Sequence, residues 1–326
     1  MIKKQKKAVK IVFAVILAFV LVYFLLTQIT VHDLSELFSR LSLYWILFAF
    51  ICYVFSYVFR AWRFKFLLTH ELRMFLLFNI VCVHNMINQL LPFRTGELSF
   101  IYLIKKQKIS GTKAMFSLFV ARAFDFAAIA VIFIISVFFI DLKQPMHTIL
   151  FATCIILFVL VLLIISLVFF NKTYLKILKK LLALKQIKKS KIIKFILTKM
   201  QETIRHFNTM KSIKHIFIIA LFSILTWISI YLMCCALFAG MGITLTFWTI
   251  VAGVSLTFFA VMLPIHGIAG FGTIEAAWSI FFFLLGLSKE IAISSSFVYH
   301  LIVILFFMIL GISGLACLKL FAIRKK

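Results

Sequence analysis

Three acidic residues stand inside long apolar stretches of the sequence, namely Glu97, Asp125 and Glu275. An ionisable side chain in hydrocarbon costs roughly 2.5–3.5 kcal/mol on insertion scales, so each acid is a candidate functional residue. Arg94 precedes Glu97 by three residues, and its guanidinium offers a fork of donors that suits either a phosphate or a nearby carboxylate. Arg122 and Asp125 are spaced i, i+3, which on a helix favours a structural ion pair between them.

Glu97 and Glu275 each end an interruption that contains Pro and Gly, at 92–97 and at 264–275. Pro removes a backbone donor and Gly frees the backbone, so both interruptions predict helix breaks. The acid after each break either caps the N–H groups of the next helix or contacts a ligand, and the two roles are compatible. The residues predicted to bind substrate lie at or near the breaks: Arg94, Glu97, Glu275, Asn88, His84, Gly96, Gly270 and Gly272.

Four polar residues lead into the first break, and helical spacing places them around one side: His84, Asn85, Asn88 and Gln89. Such residues are poor partners for lipid, so they either line a wet cavity or form hydrogen bonds between helices. His266 in the second break and His300 near the end of the chain are weaker candidates, since a single His carries little information.

The overall composition indicates the class of protein in which these residues lie. Of the 326 residues, 65% are hydrophobic and 13% are charged, against about 45–50% and about 25% in soluble domains. A soluble enzyme, a disordered chain and a disulfide scaffold are therefore excluded. The six cysteines lie singly or adjacent in apolar runs without a metal-binding spacing, and no nucleotide-binding motif is present, so we expect no cofactor and no metal.

The net charge of +26 indicates sidedness rather than nucleic-acid binding, because cytoplasmic loops of membrane proteins collect Lys and Arg. Nearly all of the 35 Lys and Arg fall on one side of the apolar runs, and this count places Arg60 and Arg63 in the loop after the second span. Both termini are thus predicted to be cytoplasmic. The basic loop at about 171–214 forms either amphipathic helices on the inner leaflet or a solvated connector. Six spans are predicted, at about 8–26, 43–59, 114–140, 146–170, 215–239 and 291–317.

The sidedness predicts that the two interrupted segments turn back within the membrane. Segment 74–104 begins and ends on the cytoplasmic side, whereas segment 247–286 begins and ends outside. The predicted fold class is an all-α polytopic membrane protein, with six spanning helices plus two broken re-entrant hairpins in an inverted repeat. A single domain covers 1–326, with a first repeat at about 43–140 and a second at about 215–317.

Three runs together resemble the lysylphosphatidylglycerol synthase/flippase transmembrane family: 88–98 (NQLLPFRTGEL), 122–125 (RAFD) and 270–275 (GFGTIE). The resemblance implies a flippase-like domain with two re-entrant segments, which in bifunctional members moves aminoacylated phosphatidylglycerol between leaflets. Those members also carry a C-terminal synthase domain that takes lysine from its tRNA. Since Lys326 directly follows the last span, we expect this chain to be a stand-alone member without aminoacyl transfer. Phe100 and Ile274 stand where family sequences often carry Arg.

The predicted function is translocation of an anionic or aminoacylated phospholipid, or of a polyprenyl-linked lipid, between leaflets of the cell membrane. An ion-coupled transporter of a small solute is the first alternative, with Glu97 or Glu275 carrying protons. A membrane-embedded transferase that acts on a lipid is the second, although no catalytic constellation is recognised and we expect no enzyme activity. The expected partner is a membrane lipid, with a second copy of the chain and a separate lipid-modifying enzyme as further candidates, and no nucleic acid.

Overall fold

A computed structural model describes residues 19–69, 71–92, 95–140, 146–169, 213–262 and 268–323, and this part of the chain contains helices and no strands. The helices of the described ranges are α1 (Phe19–Leu26), α2 (Val31–Arg40), α3 (Leu43–Leu67), α4 (Met74–Leu90), α5 (Glu97–Lys106), α6 (Gly111–Val137), α7 (Met146–Phe169), α8 (Ile213–Gly240), α9 (Phe247–Val261), α10 (Thr273–Leu284) and α11 (Lys289–Ile323). A short 3₁₀ turn at Ile268–Gly270 precedes α10.

Helix lengths follow the same order twice. A long helix, two short helices and a long helix form α3 to α6, with 25, 17, 10 and 27 residues. The series α8 to α11 has 28, 15, 12 and 35 residues. Within the described residues, α3, α6, α8 and α11 are long and apolar enough to cross a membrane, and a fifth span results if the bent pair α1–α2 counts as one. The chain is therefore a multi-pass membrane protein, and the six-span layout with re-entrant hairpins stays a prediction.

The two helix series pack against each other, and helices of one series contact helices of the other. Helices α3 and α8, which begin the two series, pack along each other. Helix α4 packs on α11 and the corresponding α9 packs on α6, so the first short helix of each series contacts the last helix of the other. Gly311 on α11 permits this close packing, because a Cβ there would lie 2.3 Å from the Met86 sulfur. The core formed in this way is continuous across both series.

Both predicted breaks occur. Helix α4 ends at Leu90 and α5 begins at Glu97, and Gly96 lies against the backbone of α4, where an added Cβ would be 2.3 Å from Cα of Asn88. Before α10 the turn uses positive φ at Ala269 (54°), Gly270 (83°) and Gly272 (79°), a conformation that Gly adopts without the steric penalty of a Cβ. Helix α4 packs against the turn at Ile268–Gly270, so the two broken segments meet.

The predicted end of the second span at residue 59 was wrong. Helix α3 continues to Leu67, and Arg60 and Arg63 lie within it rather than in a cytoplasmic loop. Phe64, Phe66 and Leu67 continue the apolar pattern on either side of Lys65, and the side chain of Arg63 is only 2% exposed. In the sequence, Arg60 and Arg63 interrupt the apolar run, and the span was therefore predicted to end before them. In the folded protein both arginines have polar partners, Asn85 and Asp125.

Helix α2 was not predicted. Thr30 accepts a hydrogen bond from the backbone N–H of Asp33, whose carboxylate accepts one from the Thr30 N–H, and this capping box begins the helix. Helices α1 and α2 meet at 89°. Several predictions fall outside the described residues: the basic N-terminus, Arg94, the basic loop up to residue 212, and His266.

Candidate functional site

A cavity of about 120 Å³ lies between the two broken segments. A single water needs roughly 10–15 Å³ of such volume, so the cavity is large enough for a polar group and not only for one solvent molecule. Helices α3, α4, α6, α8, α9, α10 and α11 contribute to its wall, together with the turn at Ile268–Gly270. The polar side chains of the wall include Tyr53, Tyr57, Arg60, Asn85, Asn88, Gln89, Arg122, Asp125, Thr257 and His300.

The cavity wall combines polar and apolar side chains. The longer polar side chains come mainly from α3, α4 and α6, with Arg60, Asn88 and Arg122 among them. The end of α9 and α11 contribute apolar side chains, including Phe258, Val261, Met262, Val303 and Phe307, beside the polar Thr257 and His300. An amphiphilic molecule would satisfy both kinds of side chain, since a buried polar group needs partners and an apolar group does not.

Asp125 does not pair with Arg122 as the i, i+3 spacing predicted. Its carboxylate binds Arg63 through two contacts, Oδ1 to Nη1 at 2.5 Å and Oδ2 to Nη2 at 3.0 Å. The indole N–H of Trp227 donates to Oδ1 at 3.2 Å, and Arg63 also donates to the hydroxyl of Ser223 at 2.9 Å. The pair is buried and joins α3, α6 and α8. The correction has a geometric reason, because Arg63 offers both guanidinium arms to the carboxylate at once.

Arg122 instead faces the first break. Its Nε atom lies 3.4 Å from Oε1 of Glu97, and the side chains are 31% and 35% exposed. Glu97 is the first residue of α5, and Gly96, which precedes it, provides no side-chain cap. Glu97 therefore pairs with the guanidinium of Arg122, and this contact joins α5 to α6.

Glu275 occupies the equivalent position after the second break but is fully buried. Its Oε2 accepts a hydrogen bond from the Gly272 N–H at 2.7 Å, and its Oε1 lies 2.6 Å from Nδ1 of His300. The other ring nitrogen of His300 lies 3.0 Å from the carbonyl oxygen of Ala269. Glu275 thus caps α10 and ties the break to α11, from a position behind the cavity wall.

The other predicted substrate-binding residues are spread around the cavity. Asn88 and Gly270 form part of its wall, and His84 lines a small adjoining pocket together with Arg60 and Arg122. Nδ1 of His84 lies 3.1 Å from the Ser99 hydroxyl. Gly96 and Gly272 shape the two breaks and are not part of the cavity wall. Substrate contact by any of these residues stays a prediction.

The two positions where family sequences often carry Arg differ in their surroundings. Phe100 is buried and packs on Phe64 with ring centroids 4.4 Å apart. Ile274 lies in the cavity wall and contacts the turn at Gly270. Of these two positions, only Ile274 lines the cavity, so only there does the absence of Arg alter the cavity wall directly.

Sequence reasoning missed Arg60, Arg63 and the tyrosines Tyr53 and Tyr57 as site residues. A usable signal was present, since the apolar pattern resumes after each Arg and a helix through residue 67 would place both on its inner side. For metal binding, the described ranges hold no group of three or more His, Cys, Asp and Glu side chains suitably placed.

The chain matches the model of a known protein family. The family model described as "Lysylphosphatidylglycerol synthase TM region" matches residues 11–311. This range includes both breaks and the whole cavity wall. Searches of curated proteins and of solved structures found no match.

Proposed function

The chain belongs to the lysylphosphatidylglycerol synthase TM region family, and from this membership we propose that it translocates a lipid headgroup between the leaflets of the cell membrane. The proposal makes the protein a transporter and not an enzyme, with a membrane lipid as its direct partner. The family supports a lipid-related role in a membrane. The step from that role to translocation depends on the arrangement of the cavity.

One observation carries the proposal: both broken segments border the same polar cavity inside an otherwise apolar helical body. Broken helices that meet at a site between two repeats are the usual plan of secondary transporters. The exchanged packing of the two helix series supports a repeat of this kind. A headgroup could contact the polar residues of the wall while its acyl or prenyl chains stay in hydrocarbon.

The mechanism follows from the contacts at the breaks. The Glu97–Arg122 contact joins the first break to α6, and the Glu275–His300 contact joins the second break to α11. Alternate opening of the cavity to the two leaflets requires each short helix to move against its long neighbour. The partly exposed Glu97–Arg122 contact is the weaker of the two, because screening reduces the energy of an exposed pair. We therefore assign the first movement to α5.

Lipid exchange in proteoliposomes tests the proposal. The full chain is reconstituted with fluorescent phosphatidylglycerol or polyprenyl phosphate, and the fraction reached by an impermeant quencher is followed over time. We expect exchange above that of protein-free liposomes, and a rate in Glu97→Gln that differs from the wild type, because loss of the carboxylate charge weakens the contact that holds α5 against α6. Glu36→Gln is the control, since Glu36 pairs only with neighbours on the exposed helix α2. Equal exchange with and without protein would reject the proposal.

A second candidate function, ion-coupled transport of a small solute, is favoured by the Glu275–His300 contact. A buried carboxylate and imidazole at 2.6 Å can hold a proton between them. Solute-driven proton uptake into vesicles, without any lipid exchange, would favour this candidate over lipid translocation.

A further inference from the structure

Arg60 and Arg122 lie in the cavity wall, and they differ in their acidic partners. Arg122 is paired with Glu97, and Arg63, beside the cavity, is paired with Asp125. Arg60 differs: among the described residues, no carboxylate oxygen lies within 4.0 Å of its guanidinium. Among the described residues, the wall therefore holds two guanidinium groups and one carboxylate, that of Asp125, which Arg63 already neutralises.

The contacts of Arg60 within the described residues are few. Its Nη1 donates to the side-chain oxygen of Asn85 at 3.3 Å, which is a long hydrogen bond. Its Nε atom is buried without a hydrogen-bond partner in this part of the chain. The guanidinium carbon lies 5.9 Å from the centroid of the Tyr57 ring, and it faces the cavity. A cation in this position is poorly compensated, and an anion in the cavity would complete its surroundings.

Neighbouring groups add neutral donors to this position. The hydroxyls of Tyr53 and Tyr57 lie 2.9 Å apart, so one of their two protons forms the bond between them and the other is left for a ligand. Asn88 and Gln89 also line the cavity and bring amide groups. A phosphate can use several donors at once, and hydroxyl groups of a headgroup can use the amides.

The acids at and near the cavity are already occupied. Both oxygens of Asp125 in the wall face Arg63, while Glu97 and Glu275 outside the wall contact Arg122 and His300. Within the described residues the cavity therefore offers no free carboxylate to a cationic headgroup. A lysyl group would lack a charged partner, whereas a phosphate with an uncharged headgroup would be complementary.

We propose that Arg60 binds the phosphate of the transported lipid, and that the substrate is an anionic phospholipid or polyprenyl phosphate whose headgroup carries no cation. This inference rests on the proposed function and specifies its substrate class. Apolar residues of the wall, such as Val261, Met262 and Phe307, contact the first carbons of the lipid chains.

Binding to the full chain in nanodiscs of neutral lipid tests the inference. The probes are short-chain phosphatidylglycerol, its lysyl ester, the matching diacylglycerol without phosphate, glycerol 3-phosphate and inorganic phosphate. The variants are Arg60→Gln and Arg60→Lys, with Lys65→Gln as the matched control, because Lys65 lies on the same helix but stacks on Trp62 and not in the cavity. Native mass spectrometry measures occupancy, and thermal unfolding verifies that each variant is folded.

We expect phosphatidylglycerol to bind more tightly than its lysyl ester and than diacylglycerol. Arg60→Gln should weaken its binding by about tenfold or more, since a charge-assisted hydrogen bond is lost. Arg60→Lys should show a smaller loss, because it keeps the charge without the fork. Lys65→Gln should change binding by less than about twofold, in line with a single screened charge outside the site.

Three results would overturn the inference: unchanged phosphatidylglycerol binding in both Arg60 variants, tighter binding of the lysyl ester, or inorganic phosphate competing as well as the lipid. The last result would indicate a site for free phosphate. Failure of the proposed function is distinguishable. Lipid binding that depends on Arg60 without any leaflet exchange rejects translocation alone, whereas exchange with unchanged binding in the Arg60 variants rejects this inference alone.

Discussion

His300 and Glu275 share a proton. The carbonyl oxygen of Ala269 only accepts, so the facing nitrogen Nε2 of His300 must carry a hydrogen. The contact of 2.6 Å between Nδ1 and Oε1 of Glu275 needs another hydrogen, on either the imidazole or the carboxyl group. Whichever group holds it, the pair is neutral as a whole. A neutral pair is compatible with its burial, with side chains 2% and 0% exposed.

Glu275→Gln and Glu275→Ala should separate charge from hydrogen bonding at the second break. The amide of Gln can accept from Gly272 and donate to a neutral His300, so we expect a change in stability below about 1 kcal/mol. In Glu275→Ala, the Gly272 N–H and the His300 ring lose their partner, and we expect the free energy of unfolding to fall by about 1–3 kcal/mol or more. Thermal unfolding in detergent measures the difference, with the exposed Glu290→Ala as control. Equal losses in Gln and Ala would show that the carboxylate charge itself is required.

Removal of either partner of the Arg63–Asp125 pair should be costly. Asp125→Ala or Arg63→Ala leaves a buried charge alone, which typically costs about 3–5 kcal/mol. A double variant with Arg63→Met and Asp125→Leu should lose less than either single variant, because no charge is left in the core. The control is Arg40→Ala in the exposed pair with Glu36, where we expect a loss below about 1 kcal/mol. A double variant less stable than both single variants would contradict this account.

Gly96→Ala should disturb the first break. The added Cβ would meet the α4 backbone at Asn88 at 2.3 Å, and backbone cannot move aside as a side chain can. We expect a loss of about 1–3 kcal/mol, typical of overpacking, and impaired lipid exchange. Gly111→Ala is the matched control, since its nearest neighbour is the flexible side chain of Lys105 at 3.0 Å. Equal stability of the Gly96→Ala and Gly111→Ala proteins would contradict the close approach of Gly96 to the α4 backbone.

Cysteine labelling tests the opposite orientation of the two hairpins. Ser110→Cys lies between α5 and α6, and Glu290→Cys lies in the first turn of α11, both at exposed positions. In a variant without the native cysteines, an impermeant maleimide should label Ser110→Cys from the cytoplasmic side and Glu290→Cys from outside. Labelling of both positions from one side would reject the inverted repeat.

Family membership, the helical class and the positions of the two breaks could be read from the residues alone. These properties are local or nearly so: apolar runs predict helices, and Pro and Gly interrupt them whatever the rest of the chain does. The three motif runs carried the family assignment, which the match over residues 11–311 confirmed. The prediction that polar residues before the first break face inward is consistent with Asn85 and Asn88 in the cavity wall.

The partner of each charge was decided by the tertiary structure. The i, i+3 spacing favoured Arg122 for Asp125, yet Arg63, 62 residues earlier in the chain, reaches the carboxylate with both arms. Local spacing shows only which groups can meet on one helix, whereas burial makes the energy of a pair depend on geometry and on every other partner nearby. For the same reason Arg60 resembled a loop residue in the sequence and became the least compensated cation of the cavity only when α3, α4 and α6 packed together.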